Sequence, residues 1–295
     1  MKGDNMILNF TKMHGCGNDY IYVDGFTQNL ENPSDAAIKL SRRHFSIGSD
    51  GLIMVCPSDI ADAKMKMYNA DGSEGKMCGN GVRCVAQFVY DNGICRKNPL
   101  KIETLSGIKT VDLFIENGKV TCASVDMGAP DFAPGSIPVL SDEPIIGREM
   151  LVGGELQTIT CVSMGNPHCV IFVPSDFDLR NFEIEKIGSK IENDPIFPEK
   201  VNVEFVKKLS DATFEMRVWE RGSGETWACG TGASAVAVAC IMLNKAGKQG
   251  EPLNVHCKGG LLKVTHELND HVTLEGNAVA VFDGVIDIPE SVINE

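Results

Sequence analysis

Apolar and polar residues alternate with a period of two along most of this chain, and only a few stretches switch to a helical period. Residues 7–26 read as two strands around Met13-His14-Gly15-Cys16-Gly17-Asn18-Asp19-Tyr20. Residues 33–45 fit a helix opened by Pro33-Ser34-Asp35 and stopped near Gly48. Residues 51–56 form an apolar run of buried-strand type, and 64–68 alternate. A mostly apolar helical run over 82–90 is halted by Asn92-Gly93. Strands over 100–105, 108–115 and 119–126 are separated by Ser106-Gly107 and Glu116-Asn117-Gly118, and Met127-Gly128-Ala129-Pro130 marks a boundary.

Beyond that boundary the same events recur in the same order. Met164-Gly165-Asn166 and the strand at 170–173 echo Gly17-Asn18 and its strand; residues 216–222 echo 65–72. Cys229-Gly230-Thr231-Gly232 echoes Cys78-Gly79-Asn80-Gly81 at 229 − 78 = 151 positions. Pro252, Gly259-Gly260 and His271-Val272-Thr273 echo Pro99, Ser106-Gly107 and Lys119-Val120-Thr121. Landmarks kept in step over such a distance indicate duplication of one strand-rich unit. The organisation predicted is therefore two domains, 1–126 and 127–282, with a last strand at 283–295 returning to the first.

Residues 231–243 are apolar on every face, so that helix must be surrounded by protein. Asn244-Lys245-Ala246-Gly247 ends it with a cation and a C-cap glycine. Since the other elements are mostly strands, the fold class is α+β (mixed α/β). Each of two pseudo-symmetric domains curves a mixed sheet or barrel around one central helix.

Composition narrows the function. The 295 residues carry a net charge of −13 without a basic stripe, which argues against nucleic acid. No apolar run is long enough to span a membrane, and residues 1–6 run into a strand without a signal-peptide core. Eleven cysteines without a C-x-x-C pair read as free thiols of a reducing, cytoplasmic compartment. The six histidines form no metal-binding spacing, and His168 beside Cys169 lacks a second ligand pair, so no metal is expected. Cys56, Cys84, Cys95, Cys122, Cys161, Cys240 and Cys257 read as packing residues.

Cys78 sits where a strand-turn-helix unit starts its helix, with the N–H groups of Gly79, Asn80 and Gly81 aimed in front of the sulfur. Such a position binds an anion and favours a thiolate. Cys229 repeats it. If the halves are related by a pseudo-twofold axis, the thiols face each other across the inter-domain cleft. One then removes a proton from a carbon and the other delivers one from behind, inverting a stereocentre next to a carboxylate. Neither a lysine-centred pyridoxal phosphate motif nor a dinucleotide fingerprint is present, so the chemistry is expected to be cofactor-free.

From Met13 to about Gly284 the chain resembles the diaminopimelate epimerase family. The resemblance is carried by Met13-His14-Gly15-x-Gly17-Asn18-Asp19, by Asn69-Ala70-Asp71-Gly72-Ser73, and by Met77-Cys78-Gly79-Asn80-Gly81-x-Arg83-Cys84. It continues through Gly165-Asn166-Pro167-His168, Val201-Asn202-Val203-Glu204-Phe205 and Glu220-Arg221-Gly222-x-Gly224-Glu225-Thr226-x-Ala228-Cys229-Gly230-Thr231-Gly232. It implies interconversion of LL- and meso-2,6-diaminopimelate, in lysine and peptidoglycan synthesis, without a cofactor. On the family pattern Cys78 and Cys229 are the acid/base thiols, supported by His168 and Glu220. Asn18, Asn69, Asn166, Asn202 and Arg221 fall on substrate contacts, and Gly79-Asn80 with Gly230-Thr231 on the helix-end contacts to the reacting carboxylate.

Gly51, Cys16, Tyr20 and Ser234 depart from the family's commonest residues, Gln, an aliphatic, Phe and Cys. Three alternatives remain: a proline racemase-type enzyme with the same two thiols, a redox protein cycling a Cys78–Cys229 disulfide, and a catalytically dead binding member of the fold, which would be expected to have lost one thiol. Asn69, Asn202 and Glu220-Arg221 suit a second polar amino-acid head, which proline lacks; duplicated helix-end anion sites have no use in redox cycling. A homodimer is compatible with the sequence, which does not set the oligomeric state.

Overall fold

Period-two alternation becomes strand throughout the computed structural model, which describes residues 6–288. What the sequence predicts for residues 1–5, and for 289–295 at the end of the returning strand, lies outside the described residues. The chain divides into two units: one takes the residues up to Val125 with those from Gly276 onward, the other is Asp126–Glu275.

In the first unit β1 (Met6–Gly15) and β2 (Asn18–Asp24) make an antiparallel hairpin. Its two turn residues, Cys16 at φ 52° and Gly17 at φ 78°, are both left-handed, as a tight hairpin turn demands. α1 (Pro33–Leu40) comes next, shorter than the 33–45 expected. It stops because Gly48 and Ser49 donate their N–H groups to the carbonyls of Leu40 and Ser41, at 2.9 and 3.1 Å, and fold the chain back. β3 (Gly51–Cys56) lies parallel to β2 and antiparallel to β4 (Ala63–Asn69), which turns into β5 (Glu74–Gly75). After α2 (Gly79–Asp91) come β6 (Leu100–Thr104), parallel to β4, then β7 (Gly107–Glu116) and β8 (Lys119–Asp126) in antiparallel array. α2 is buried from Gly79 to Val89 and packs on β1, β2, β3, β4, β6 and β7, so the sheet wraps it.

The second unit repeats this order. β9 (Arg148–Val152) pairs with β10 (Glu155–Ser163), which turns into β11 (Pro167–Val173). α3 (Ile184–Glu192) precedes β12 (Asn202–Ser210), which is parallel to β11 and antiparallel to β13 (Thr213–Glu220). β14 (Gly224–Thr226) leads into α4 (Gly230–Met242), and then come β15 (Pro252–Cys257), β16 (Gly260–His266) and β17 (Val272–Asn277). α4, buried from Ala233 to Cys240, packs on β10, β11, β12, β15 and β16. β18 (Val279–Ile288) then runs antiparallel to β1, with Val279 opposite His14. The return thus starts ahead of the expected residue 283. β18 stands to β1 as β9 stands to β10. Each unit is a mixed α/β sheet around a central helix.

The sequence pattern does not predict α3. Its interior holds Gly188, placed there because a Cβ would lie 2.7 Å from the Trp219 ring. The ends of the two central helices match as closely as their beginnings. Gly93 (φ 73°) donates to Tyr90 O and Ile94 to Val89 O, while Asn244 (φ 50°) donates to Ile241 O and Lys245 to Cys240 O. Both are Schellman caps. The stop of α4 is therefore Asn244, not the Gly247 expected, since asparagine tolerates the left-handed region well enough to end a helix. Asn244→Gly is expected to stabilise the protein by roughly 0.5–1 kcal/mol, and Gly93→Asn to cost a similar amount, read as shifts in the urea midpoint.

Candidate active site

In the first unit Cys78 is the N-cap of α2, in extended conformation (φ −133°, ψ 120°), and its Sγ accepts the Gly81 N–H at 3.4 Å. A serine or asparagine would cap better, so helix capping alone does not account for the thiol. The Cys78 thiol donates to Asn18 Oδ1 at 3.2 Å. Asn18 is held in turn, its Nδ2 donating to Asp50 Oδ2 at 2.9 Å, which also accepts the Asp19 N–H at 3.1 Å. Arg43 bridges Asp19 and Asp50 at 2.9 and 3.0 Å, and Lys12 Nζ lies 2.6 Å from Asp19. Burial pushes the Asp19 carboxyl up, but its bonds to Lys12 and Arg43 together hold it below its ordinary value. Burial and the Asp19 charge push Asp50 up.

Arg83 is fully buried on the next turn of α2. It donates to Gly79 O at 3.1 Å and to Asn80 Oδ1 at 2.7 Å, so it orders both residues of the helix start. Asn69 ends β4, with its amide donating to Ser73 Oγ at 3.0 Å inside the turn. Cys84 is buried, and burial pushes its thiol up to about 11, so it packs rather than reacts. Among the residues read as packing, Cys161 and Cys240 are buried, whereas Cys56, Cys95, Cys122 and Cys257 are only half-buried.

The second unit builds the same cap with different neighbours. Cys229 (φ −121°, ψ 114°) accepts the Gly232 N–H at 3.4 Å and lies 3.3 Å from Thr231 Oγ1. Thr231 accepts from Asn166 Nδ2 at 3.2 Å; Asn166 Oδ1 meets His168 Nε2 at 3.0 Å; His168 Nδ1 meets Glu204 Oε1 at 2.7 Å. Glu220, at the end of β13, accepts the Thr226 hydroxyl. Burial, Glu220 and Glu204 push the Cys229 thiol well up, which favours S–H. Cys229, Thr231, Asn166, His168 and Glu204 thus form one connected chain, and the Glu220 charge acts on Cys229 beside it. Asn202 stands beside it, donating to Pro167 O at 2.9 Å and accepting the Arg221 N–H at 2.8 Å. The Arg221 guanidinium is exposed and donates to Glu199 O at 3.2 Å.

Pairing registers show which neighbours correspond. Tyr20 lies opposite Gly51 in the first unit, as His168 lies opposite Asn202 in the second. A Cβ on Gly81 would meet Ile53 at 3.0 Å, whereas one on Gly232 would meet Glu204 at 2.7 Å. Ser234, one turn into α4, donates to Gly230 O at 2.9 Å, as Arg83 does to Gly79 O. At Gly51 a Cβ would lie 2.1 Å from Tyr68 O and 2.8 Å from the Tyr20 ring, so this backbone has no room for the side chain the family commonly carries there. Glu204 and Arg83 belong to motifs visible in the sequence, but their roles emerge only from these contacts. A charged residue inside a strand of apolar neighbours is the signal for Glu204. Among the described residues, no group of three His, Cys, Asp or Glu side chains is set to hold a metal, and no helix is long and apolar enough to cross a membrane.

The fold is shared with several solved proteins. It matches a probable proline racemase from Agrobacterium radiobacter K84 (TM-score 0.69, 12% identity, 94% of this chain and 92% of that one). It also matches a phenazine biosynthesis protein of the PhzF family from Bacillus anthracis (TM-score 0.67, 19% identity, 95% and 99%). The family model described as diaminopimelate epimerase matches residues 10–133 and 160–281. A diaminopimelate epimerase of Acetivibrio thermocellus is 50% identical over 285 residues, covering 96% of this chain and 100% of the relative. One of Methanococcus maripaludis is 48% identical over 283 residues, covering 95% and 100%. The chain belongs to the diaminopimelate epimerase family.

The two caps differ in how much they can give. Gly81→Ala is expected to stay within about 1 kcal/mol of wild-type stability, because an isoleucine tip can move. Gly232→Ala, set against a carboxylate already bonded to His168, is expected to lose about 2–3 kcal/mol, checked by chemical denaturation.

Proposed function

We propose that this chain is a cofactor-independent epimerase that interconverts LL- and meso-2,6-diaminopimelate. Cys78 and Cys229 act as its two acid/base groups at one α-carbon. The observation that carries this reading is the duplicated cap: two cysteines, each at the head of a buried helix, each accepting the N–H three residues on. A nucleophile needs one such device. Inversion needs two, because the proton leaves from one face and returns to the other.

The chemistry requires one thiol charged and one neutral in every productive complex. Cys78 S–H rests on Asn18 Oδ1. Glu220 is the base that takes the Cys229 proton, since it is the carboxylate whose charge acts most strongly on that thiol. Burial raises its carboxyl, which narrows the gap to a thiol and makes the transfer easier. Cys229 as thiolate then removes the α-proton while the Cys78 thiol delivers one to the opposite face; the reverse reaction exchanges the roles. The departing proton leaves charge on the substrate carboxylate, and the first-turn N–H groups of α2 and α4, which have no intrahelical acceptor, are suited to hold it. Asn18, Asn69, Asn166, Asn202 and Arg221 are proposed to bind the amino and carboxylate groups that do not react, with the Arg221 fork matched to a carboxylate.

The free cysteines and a substrate of amino-acid synthesis support a cytoplasmic enzyme.

Cys78→Ala and Cys229→Ala are each expected to lower epimerisation of LL-diaminopimelate by at least about a thousandfold. In deuterated water the wild-type enzyme should place deuterium at one α-carbon per turnover, with proline neither competing nor exchanging. Rapid exchange into proline would transfer the assignment to the proline racemase type.

A further inference from the structure

Glu204 has no task in the mechanism above, yet it is fully buried within an apolar strand. Its Oε1 lies 2.7 Å from His168 Nδ1, and its Oε2 has no hydrogen-bond partner among the described residues. On the far side of the ring, Nε2 is 3.0 Å from Asn166 Oδ1, while the Asn166 amide nitrogen is turned to Thr231. Both ring nitrogens therefore face oxygen acceptors. Only a ring with a proton on each nitrogen donates to both. Such a cation, enclosed in protein, calls for a carboxylate partner, and Glu204 is placed to be one. The first unit makes the same turn with Ile53 in this position, so the frame does not need a carboxylate in order to fold.

We propose that Glu204 is a positioning residue that keeps His168 doubly protonated, and that the His168 charge keeps Glu220 ionised as the base for Cys229. The inference rests on the two-thiol reading. The groups acting on Glu220 are Thr226 from β14, His168 from β11, Cys229 at the head of α4 and Glu204 from β12. Burial pushes the Glu220 carboxyl up, while the Thr226 hydroxyl and the His168 charge pull it down. A Glu204 substitution that costs the ring its charge removes that pull, and the Glu220 carboxyl rises. Glu220 then stays protonated to higher pH, where it cannot accept the Cys229 proton.

The test pairs kinetics with spectroscopy on the full chain. In Glu204→Gln the acid limb of kcat for diaminopimelate is expected to move up by about one pH unit. That lowers kcat at neutral pH about tenfold, with recovery at alkaline pH and KM changed less than about twofold. Glu204→Asp, which keeps the charge, should restore the limb. Nitrogen NMR of wild type at neutral pH should show protons on both His168 nitrogens, and Glu204→Gln should lose one. A wild-type ring with a bare nitrogen overturns the proposal, as does a folded Gln variant whose kcat falls with its limb unmoved. Should the Gln variant not fold, the wild-type spectrum and the Asp variant decide. A doubly protonated ring in wild-type protein that does not turn over diaminopimelate supports the His168–Glu204 pairing and refutes the substrate reading.

Discussion

The structure depends on one local constraint: a cysteine must cap a buried helix with its sulfur. The sulfur accepts the N–H of the third helical residue at 3.4 Å in both units, and that residue is glycine both times. A Cβ there would press into the strand beneath, at 3.0 Å in one unit and 2.7 Å in the other. The glycine therefore brings the helix start down onto the sheet, and the sheet wraps round to bury the rest of the helix. Chemistry and packing share the same three residues, which is why the helices are apolar, the caps small and the turn before them tight.

Duplication has kept this frame and changed its polar content. Around Cys78 the equivalent positions are Tyr20, Ile53 and a turn-bound Asn69; around Cys229 they are His168, Glu204 and Glu220. One helix turn further on, Arg83 in the first unit corresponds to Ser234 in the second, each donating to the same carbonyl of its own helix. The first unit thus buries a cation at its helix start, and the second buries carboxylates. Carboxylates raise a neighbouring thiol, and Cys229 is raised.

Much of this was legible in the sequence because it is written in spacing. The strands, the two central helices and the matched caps all announce themselves by period and by glycine. What stayed hidden depends on contacts between distant residues. α1 ends early through bonds from Gly48 and Ser49, and no propensity encodes them. α3 carries Gly188, which weakens a helical pattern read alone and makes sense only beside Trp219. Asn244 ends α4 in place of the more conspicuous Gly247, because either residue type can adopt the left-handed turn. At the site the motif residues could be named, but not what holds them. Asn202 has both ends of its amide bound to backbone, and the Arg43, Asp50 and Asn18 chain that steadies Cys78 joins the α1–β3 connection to β2.

Unequal surroundings for the two thiols are what the proposed reaction allows. A racemase that interconverts mirror images of a small substrate faces equal energies on either side. LL- and meso-diaminopimelate differ at one centre while the other keeps its hand, so the two faces of the reacting carbon are already distinct once the far end is held. Nothing then requires the thiols to share one protonation equilibrium; what is required is that one be charged while the other is not. Two identical, buried thiols would leave that division to chance. On the proposed reading, a second unit carrying Glu204, His168 and Glu220 gives the proton of Cys229 an acidic acceptor, whereas the Cys78 thiol donates to the neutral amide of Asn18. The proposed division of the proton between the thiols thus follows from what the duplication changed, not from what it kept.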